Sequence, residues 1–266
     1  LVVTRHVLFR LSRLHALTLA RASRVIAVSR AVKRVLLAQK ILPARKVTVI
    51  PNGIDFRRFD ADGDATDRGE FRRRLKVGPE SLLVGTVGEL KRQKGHEDFL
   101  RAAAAIARAG ESAHFVIAGA DTTRAGERRA ALERLAAELH LKNRVTLMGW
   151  VDDTAPLLRA LDVYVSASHT ESFGLAIVEA MAAGLAVVAT ATEGAREIIA
   201  DEETGLIVPV GDHDALAASA LRLLKNEDER ARIGSRAAAA ARERFSLDRM
   251  VDATERLYQE MMNAER

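Results

Sequence analysis

A regular alternation of short apolar runs with longer amphipathic ones constrains this chain more than any other feature. Runs of Val, Ile, Leu and Ala at 24–28, 46–50, 82–87, 113–118, 144–147, 163–166, 186–189 and 205–208 read as strands. Helical periodicity fills the spaces between them, at 29–40, 97–109, 124–139, 174–183 and 214–224 among others. Two parallel strands need a long crossover, so strand–helix–strand alternation predicts an α/β fold with a parallel sheet flanked by helices on both faces. The strand runs hardly alternate polar with apolar residues, as expected where both faces of a sheet are buried. Ser29 is well suited to cap the helix predicted over 29–40. Arg30, Lys33, Arg34 and Lys40 share one face of that helix, and Val32, Val35 and Leu36 the other. The pattern breaks at Pro51-Asn52-Gly53 and again in the polar stretch 60–69, and the last three helices have no strand between them.

Composition narrows the chemistry. With no cysteine among 266 residues, disulfides, Cys-ligated zinc, iron–sulfur clusters and thiol catalysis are excluded, and a reducing, cytoplasmic setting is expected. No apolar run approaches the roughly 18 residues of a membrane span. The chain opens on the strand-like Leu1-Val2-Val3, which is expected to be a truncated start with earlier strands of its sheet missing. Net charge is +5 but uneven: residues 1–50 hold eleven Lys or Arg and no Asp or Glu. The other 216 residues have 30 cations against 36 carboxylates, a net −6. The basic segment fits a solvated face or attraction to an anionic membrane surface or phosphorylated acceptor. It lacks interleaved aromatics and any nucleic-acid motif, so no nucleic-acid partner is expected.

Two segments carry chemistry. The first, Glu171-Ser172-Phe173-Gly174-Leu175, follows the 163–166 strand and opens a helix near Gly174, with Glu179 about one and a half turns in. A helix N-terminus offers free N–H groups and partial positive charge, suited to a phosphate or sugar oxygen. Two carboxylates at this separation can hold sugar hydroxyls at two points of one ligand. The same spacing also fits a plainer role, with Glu171 as helix cap and Glu179 as a surface charge. The second segment runs from a strand through Val87-Gly88-Glu89-Leu90-Lys91-Arg92-Gln93-Lys94-Gly95 into a helix. Such a turn can cradle a diphosphate with backbone N–H groups and a Lys charge, or be an ordinary surface turn. It is neither Gly-x-Gly-x-x-Gly nor a P-loop.

Together these segments resemble glycosyltransferase family four, the retaining group with the GT-B fold. The resemblance rests on Glu171–x7–Glu179 followed by Ala-Met-Ala-Ala-Gly, on Gly88-x-Leu-x-x-x-Lys-Gly95, on Val49-Ile50-Pro51-Asn52-Gly53-Ile54-Asp55 between domains, and on Ser168. It implies a Rossmann-like donor domain over 61–245, a remnant of a second Rossmann-like acceptor domain with its linker over 1–60, and a crossover helix over 246–266. It implies transfer of a hexose from a nucleoside-diphosphate sugar to a hydroxyl acceptor with retained configuration and no cofactor or metal; the basic segment 1–50 adds the expectation, in one version, of a lipid-linked acceptor at the inner membrane face. Glu179 then binds donor ribose hydroxyls and Glu171 hydroxyls of the transferred sugar. The amides of Phe173, Gly174 and Leu175 contact sugar and phosphate. Lys94, with Gly88 and Arg92 in the same turn, neutralises the leaving diphosphate. Gly149, Trp150 and Val151 abut the base, and His6 in Thr4-Arg5-His6 lies near the reacting centre. The final helix docks on the acceptor domain through Met250, Val251, Leu257, Tyr258 and Met261. The chain departs from the family pattern at Glu89, where Arg is usual, leaving Lys91 or Arg92 to compensate, and at Ala176 and Ala186, where Pro is common.

Other features carry less. Asp60-Ala61-Asp62-Gly63-Asp64 lacks the glycine and glutamate positions of a calcium hand and reads as a linker. Asp162 reads as structural, and Asp212 or Asp214 as a helix cap. Ser168 beside His169 lacks a hydrolase elbow. Two alternatives to the transferase stand: a non-catalytic nucleotide-sugar-binding module, which binds without transfer, and another GT-B enzyme such as a nucleotide-sugar epimerase, which needs no acceptor.

Overall fold

A computed structural model of the protein describes residues 1–9, 15, 19–60, 65–78 and 80–264. Two parallel sheets form the frame. The smaller has the order β1(Val2–Arg5)-β2(Arg24–Ala27)-β3(Val47–Val49). The larger comprises β4(Leu82–Val87), β5(Ala113–Ala118), β6(Val145–Gly149), β7(Val163–Ser166), β8(Ala186–Thr190) and β9(Leu206–Val208), in the order β6-β5-β4-β7-β8-β9. Winding therefore starts at the centre with β4, runs outward through β5 and β6, and returns to build the other half. The reversal between β4 and β7 opens a crevice at their carboxyl ends, where doubly wound sheets bind ligands.

The helices are α1(Arg30–Ala38), α2(Ala65–Arg74), α3(His96–Arg108), α4(Glu127–Glu138), α5(Ala155–Ala160), α6(Leu175–Ala182), α7(Glu193–Ile198), α8(His213–Lys225), α9(Glu227–Arg244) and α10(Leu247–Ala264). The predicted strands appear within a residue or two of their expected places. Helix 29–40 is shorter, because Lys40 turns to φ +53° after the chain leaves α1. The span 124–139 is two pieces: Ala125 takes φ +58° in a 3-10 turn over Arg124–Gly126 before α4 begins. Asp212, not Asp214, caps α8, accepting from Ala215 N at 2.8 Å. Asp162 is structural: it accepts from Leu83 N at 2.6 Å and from Arg68 and Arg72, anchoring α2 to the start of β4. Asp60 pairs with Arg242, while Asp62 and Asp64 of the linker lie outside the described residues, as do Arg10 and Arg13 of the basic segment.

The cores follow from the pleat. On β2, Val25 and Ala27 face Val32 and Leu36 of α1, whereas Ile26 points the other way. There Ile26 and Ile50 meet Leu257 of α10, with Met250 and Met261 partly buried around them. Helix α10 thus crosses from the large sheet's side back to the small sheet. Val251 and Tyr258 do not join this contact as expected. Both are exposed, because they fall outside the narrow stripe that faces the strands. In the larger sheet Phe115 is buried edge-on against Phe99 of α3, at 6.3 Å between ring centroids.

Candidate functional site

The expected site residues come from loops after four different strands, and the sheet order determines which of them meet. β4 and β7 are neighbours, so the turn after β4 and the segment leading into α6 share the crevice. Lys94 and Glu171, 77 positions apart, meet there with Nζ 2.6 Å from Oε2. The turn is held in place by backbone contacts. Gly95 takes φ +64° and lies so close to β7's end that a Cβ would sit 1.9 Å from the Ala167 carbonyl oxygen. His169 N donates to Gln93 O at 2.7 Å, and the His169 ring contacts the largely buried carboxylate of Asp98 at 2.6 Å. Asp98 belongs to no local motif in the sequence, and His169 figures there only beside Ser168, as part of a hydrolase pattern that is incomplete. Gly88 leaves room for the Lys94 stem, 3.3 Å from where its Cβ would be.

Glu171 does not cap α6. Gly174 holds the N-cap position with φ +108°, and no side chain bonds to the helix end. The amides of Phe173, Gly174 and Leu175 therefore have no protein acceptor among the described residues, and they open beside the Lys94–Glu171 pair. The Phe173 ring is buried edge-on against Phe245 at 5.5 Å, which fixes the loop. Beneath lies a polar cavity of about 10 Å³ lined by Thr86, Lys94, Ser166, Ser168 and Glu171 among others, room for about one water.

Glu179 is not a plain surface charge either. Burial raises its carboxyl above the usual carboxylate range, opposed by the Thr154 hydroxyl, whose Oγ1 donates to Oε2 at 3.2 Å, and by the charge of Arg58. Arg58 in turn pairs with Asp153 at 2.8 Å. Thr154, Asp153 and Arg58 went unremarked in the sequence; a polar Asp-Asp-Thr run just ahead of a helix was the available signal. That run continues from Gly149, Trp150 and Val151 at the end of β6. Gly149 has φ +80° and its carbonyl accepts from Gly119 N at 2.7 Å. Trp150 is 71% exposed, with Nε1 donating to Asp152 at 2.8 Å. β6 is two strands from β4, about 10 Å at ordinary strand spacing, so this loop faces the far end of the crevice.

The substitution at Glu89 has a visible consequence. Its carboxylate pairs with Lys91, so that cation is engaged within the turn. Arg92 is exposed and forms no ion pair among the described residues, which leaves it and Lys94 to face an anion. His6, exposed at the end of β1, reaches the same region: its carbonyl accepts from Ser172 Oγ at 2.6 Å. His6 and Leu175 also line one cavity of about 480 Å³ between the two sheets.

The arrangement combines free amides and a lysine at one point with carboxylates at two others. It suits an extended ligand with an anionic middle and hydroxyl-bearing ends. Residues 67–240 match the family model described as Glycosyl transferases group 1, and residues 1–58 match that of Glycosyltransferase Family 4. An uncharacterized glycosyltransferase of Methanocaldococcus jannaschii is 34% identical over 236 residues, covering 88% of this chain and 59% of that protein. A lipopolysaccharide core biosynthesis glycosyltransferase of Rhizobium meliloti is 31% identical over 182 residues, 68% of this chain and 51% of its own. Among solved structures, Anabaena HepE in complex with UDP and glucose superposes with a TM-score of 0.87 at 26% identity, covering 98% of this chain and 71% of that one. The chain thus spans between half and three-fifths of the length of these two curated relatives.

Proposed function

The chain belongs to the group 1 glycosyltransferases of family four, with the GT-B fold, and from that premise we propose that it holds the donor site of an enzyme moving a hexose from a nucleoside-diphosphate sugar to a hydroxyl acceptor with retained configuration. The observation that carries this reading is the convergence of Lys94 and Glu171, at 2.6 Å, beside the unpaired amides of residues 173–175. A diphosphate placed there takes Lys94, Arg92 and those amides as donors. Stabilising charge on the leaving phosphate is the main catalytic contribution such a site can make. Glu171, released from Lys94 by the diphosphate, accepts from hydroxyls of the sugar. Glu179 accepts from the ribose, and exposed Trp150 offers a face to the base. The acceptor hydroxyl enters from the His6 side and attacks on the face the diphosphate leaves, so no protein nucleophile takes part.

An acceptor at an anionic membrane surface is supported by the basic residues of 1–50 and by the Rhizobium relative's role in lipopolysaccharide core synthesis. Among the described residues no helix is long and apolar enough to cross a membrane. Calorimetric titration with UDP, GDP and ADP tests the donor site. One nucleotide is expected to bind selectively, and Glu179→Ala to weaken it about tenfold through loss of a charged hydrogen bond. Failure of the folded chain to bind any of the three would overturn the reading.

A further inference from the structure

A second cavity, of about 510 Å³, lies on the other side of Phe173 from the candidate site, between the two sheets. Its lining includes four arginines from four elements: Arg30 at the start of α1, Arg196 in α7, Arg244 at the end of α9 and Arg249 in α10. Among the described residues none of these four forms an ion pair, whereas Arg34 and Arg242 nearby pair with Glu193 and Asp60. The cavity's one carboxylate, Glu197, is already engaged. Its two oxygens accept from Arg30 N at 2.8 Å and Ala31 N at 2.7 Å, capping α1.

Two of the arginines are fixed by neutral groups. Arg244 donates to Ile198 O at 2.9 Å and to Glu197 O, and its guanidinium lies over the Phe245 ring at 4.7 Å. Arg196 Nε donates to Ala191 O at 3.3 Å. Burial, and next the like charge of Arg30, pull the Arg244 pKa below that of an ordinary arginine, against the smaller opposing charges of Glu243 and Glu197. Guanidinium groups held at fixed positions around a concave space are the usual recognition device for phosphate oxygens. The volume is that of a small-molecule site rather than of a single ion.

We propose that this cavity is a second anion site, separate from the donor crevice, which binds a phosphate-bearing molecule through Arg30, Arg196, Arg244 and Arg249 and so ties the two lobes together. The ligand is either a soluble phosphate compound or the headgroup of an anionic lipid. The test uses Arg30→Gln/Arg249→Gln, two exposed residues whose side chains make no hydrogen bond among the described residues, with a circular-dichroism melt to verify the fold. Inorganic pyrophosphate is titrated into the wild type, this variant and Lys94→Ala at low salt. Each protein is also sedimented with phosphatidylglycerol vesicles and with phosphatidylcholine vesicles. The expected result is that the wild type takes up two pyrophosphates, that Lys94→Ala loses only the one in the donor crevice and still sediments, and that the arginine variant loses about tenfold in affinity for the other or ceases to sediment with the anionic vesicles. Loss in the pyrophosphate arm alone assigns a soluble phosphate compound, and loss of sedimentation assigns a lipid headgroup. Equal behaviour of wild type and arginine variant in both arms, or a loss produced only by Lys94→Ala, overturns the proposal.

Discussion

Glu179 sits where function and stability oppose each other. A carboxyl whose pKa is raised by burial binds its proton more tightly folded than unfolded. The stability it contributes is therefore full below the unfolded carboxyl pKa and is lost as pH rises through the higher folded value. At neutral pH the charged group is a cost, and Glu179→Gln is expected to raise the melting temperature there, with the gain vanishing in acid. The same change removes a charged acceptor, so nucleotide affinity should fall about tenfold. Wild-type affinity should decline with acidification at a pH above the ordinary carboxylate range, in a titration step that Glu179→Gln lacks. A variant that loses binding without gaining stability at pH 7 would mean that burial does not strain this carboxylate. At this scale the sequence disclosed residue types in the right order, but not their electrostatics. Nothing local to Glu179 announces Thr154 or Arg58, which arrive from other loops, and nothing near Glu89 announces that it engages Lys91.

Among the elements, α1 shows how the two lobes are joined. Ser29 caps it from within, accepting from Val32 N at 3.1 Å, as its sequence position suggested. Glu197 of α7 caps it from across the cleft, taking the two amides that Ser29 leaves. A carboxylate at a helix N-terminus gains from both hydrogen bonds and the helix dipole, so Glu197→Ala should cost about 1–2 kcal/mol. The neighbouring Arg34–Glu193 pair is exposed on both sides and should contribute under about 1 kcal/mol. Urea unfolding of Glu197→Ala and Glu193→Ala separates the two, and equal midpoints for both variants would count against the capping account. The strands and helices themselves were legible because apolar period and cap chemistry are local signals. The break at Ala125 was not, since only a positive φ at a residue that carries a Cβ separates Arg124–Gly126 from α4. The cap by Glu197 could not be read at all, because 166 positions separate it from Ala31.

For the whole molecule, the order 3-2-1-4-5-6 of the large sheet, counted from its own first strand, places the site, and alternation alone does not determine that order. Family resemblance supplied it. Placement of the small sheet depends on α10, which returns from the end of α9 to cover the face carrying Ile26 and Ile50. Leu257 is the buried side chain through which that helix makes the contact, at 4% exposure. Leu257→Ala should leave a cavity and cost about 3 kcal/mol. The loss should not be spread evenly. One core, with Leu100, Phe115 and Leu132, belongs to the large sheet alone, while the core holding Val178, Met181 and Val187 runs on into Val25 and Val47 of the small sheet; neither includes α10. The small sheet has three strands, and one face of it meets α10. In native-state hydrogen exchange, the amides of β2 and β3 should lose protection in Leu257→Ala while those of β4, β5 and β7 keep theirs. Uniform loss across both sheets would make the molecule a single cooperative unit. In the expected case the small sheet opens without unfolding the donor crevice, and an anion held in the cavity between Arg30 and Arg244 changes how readily it does so.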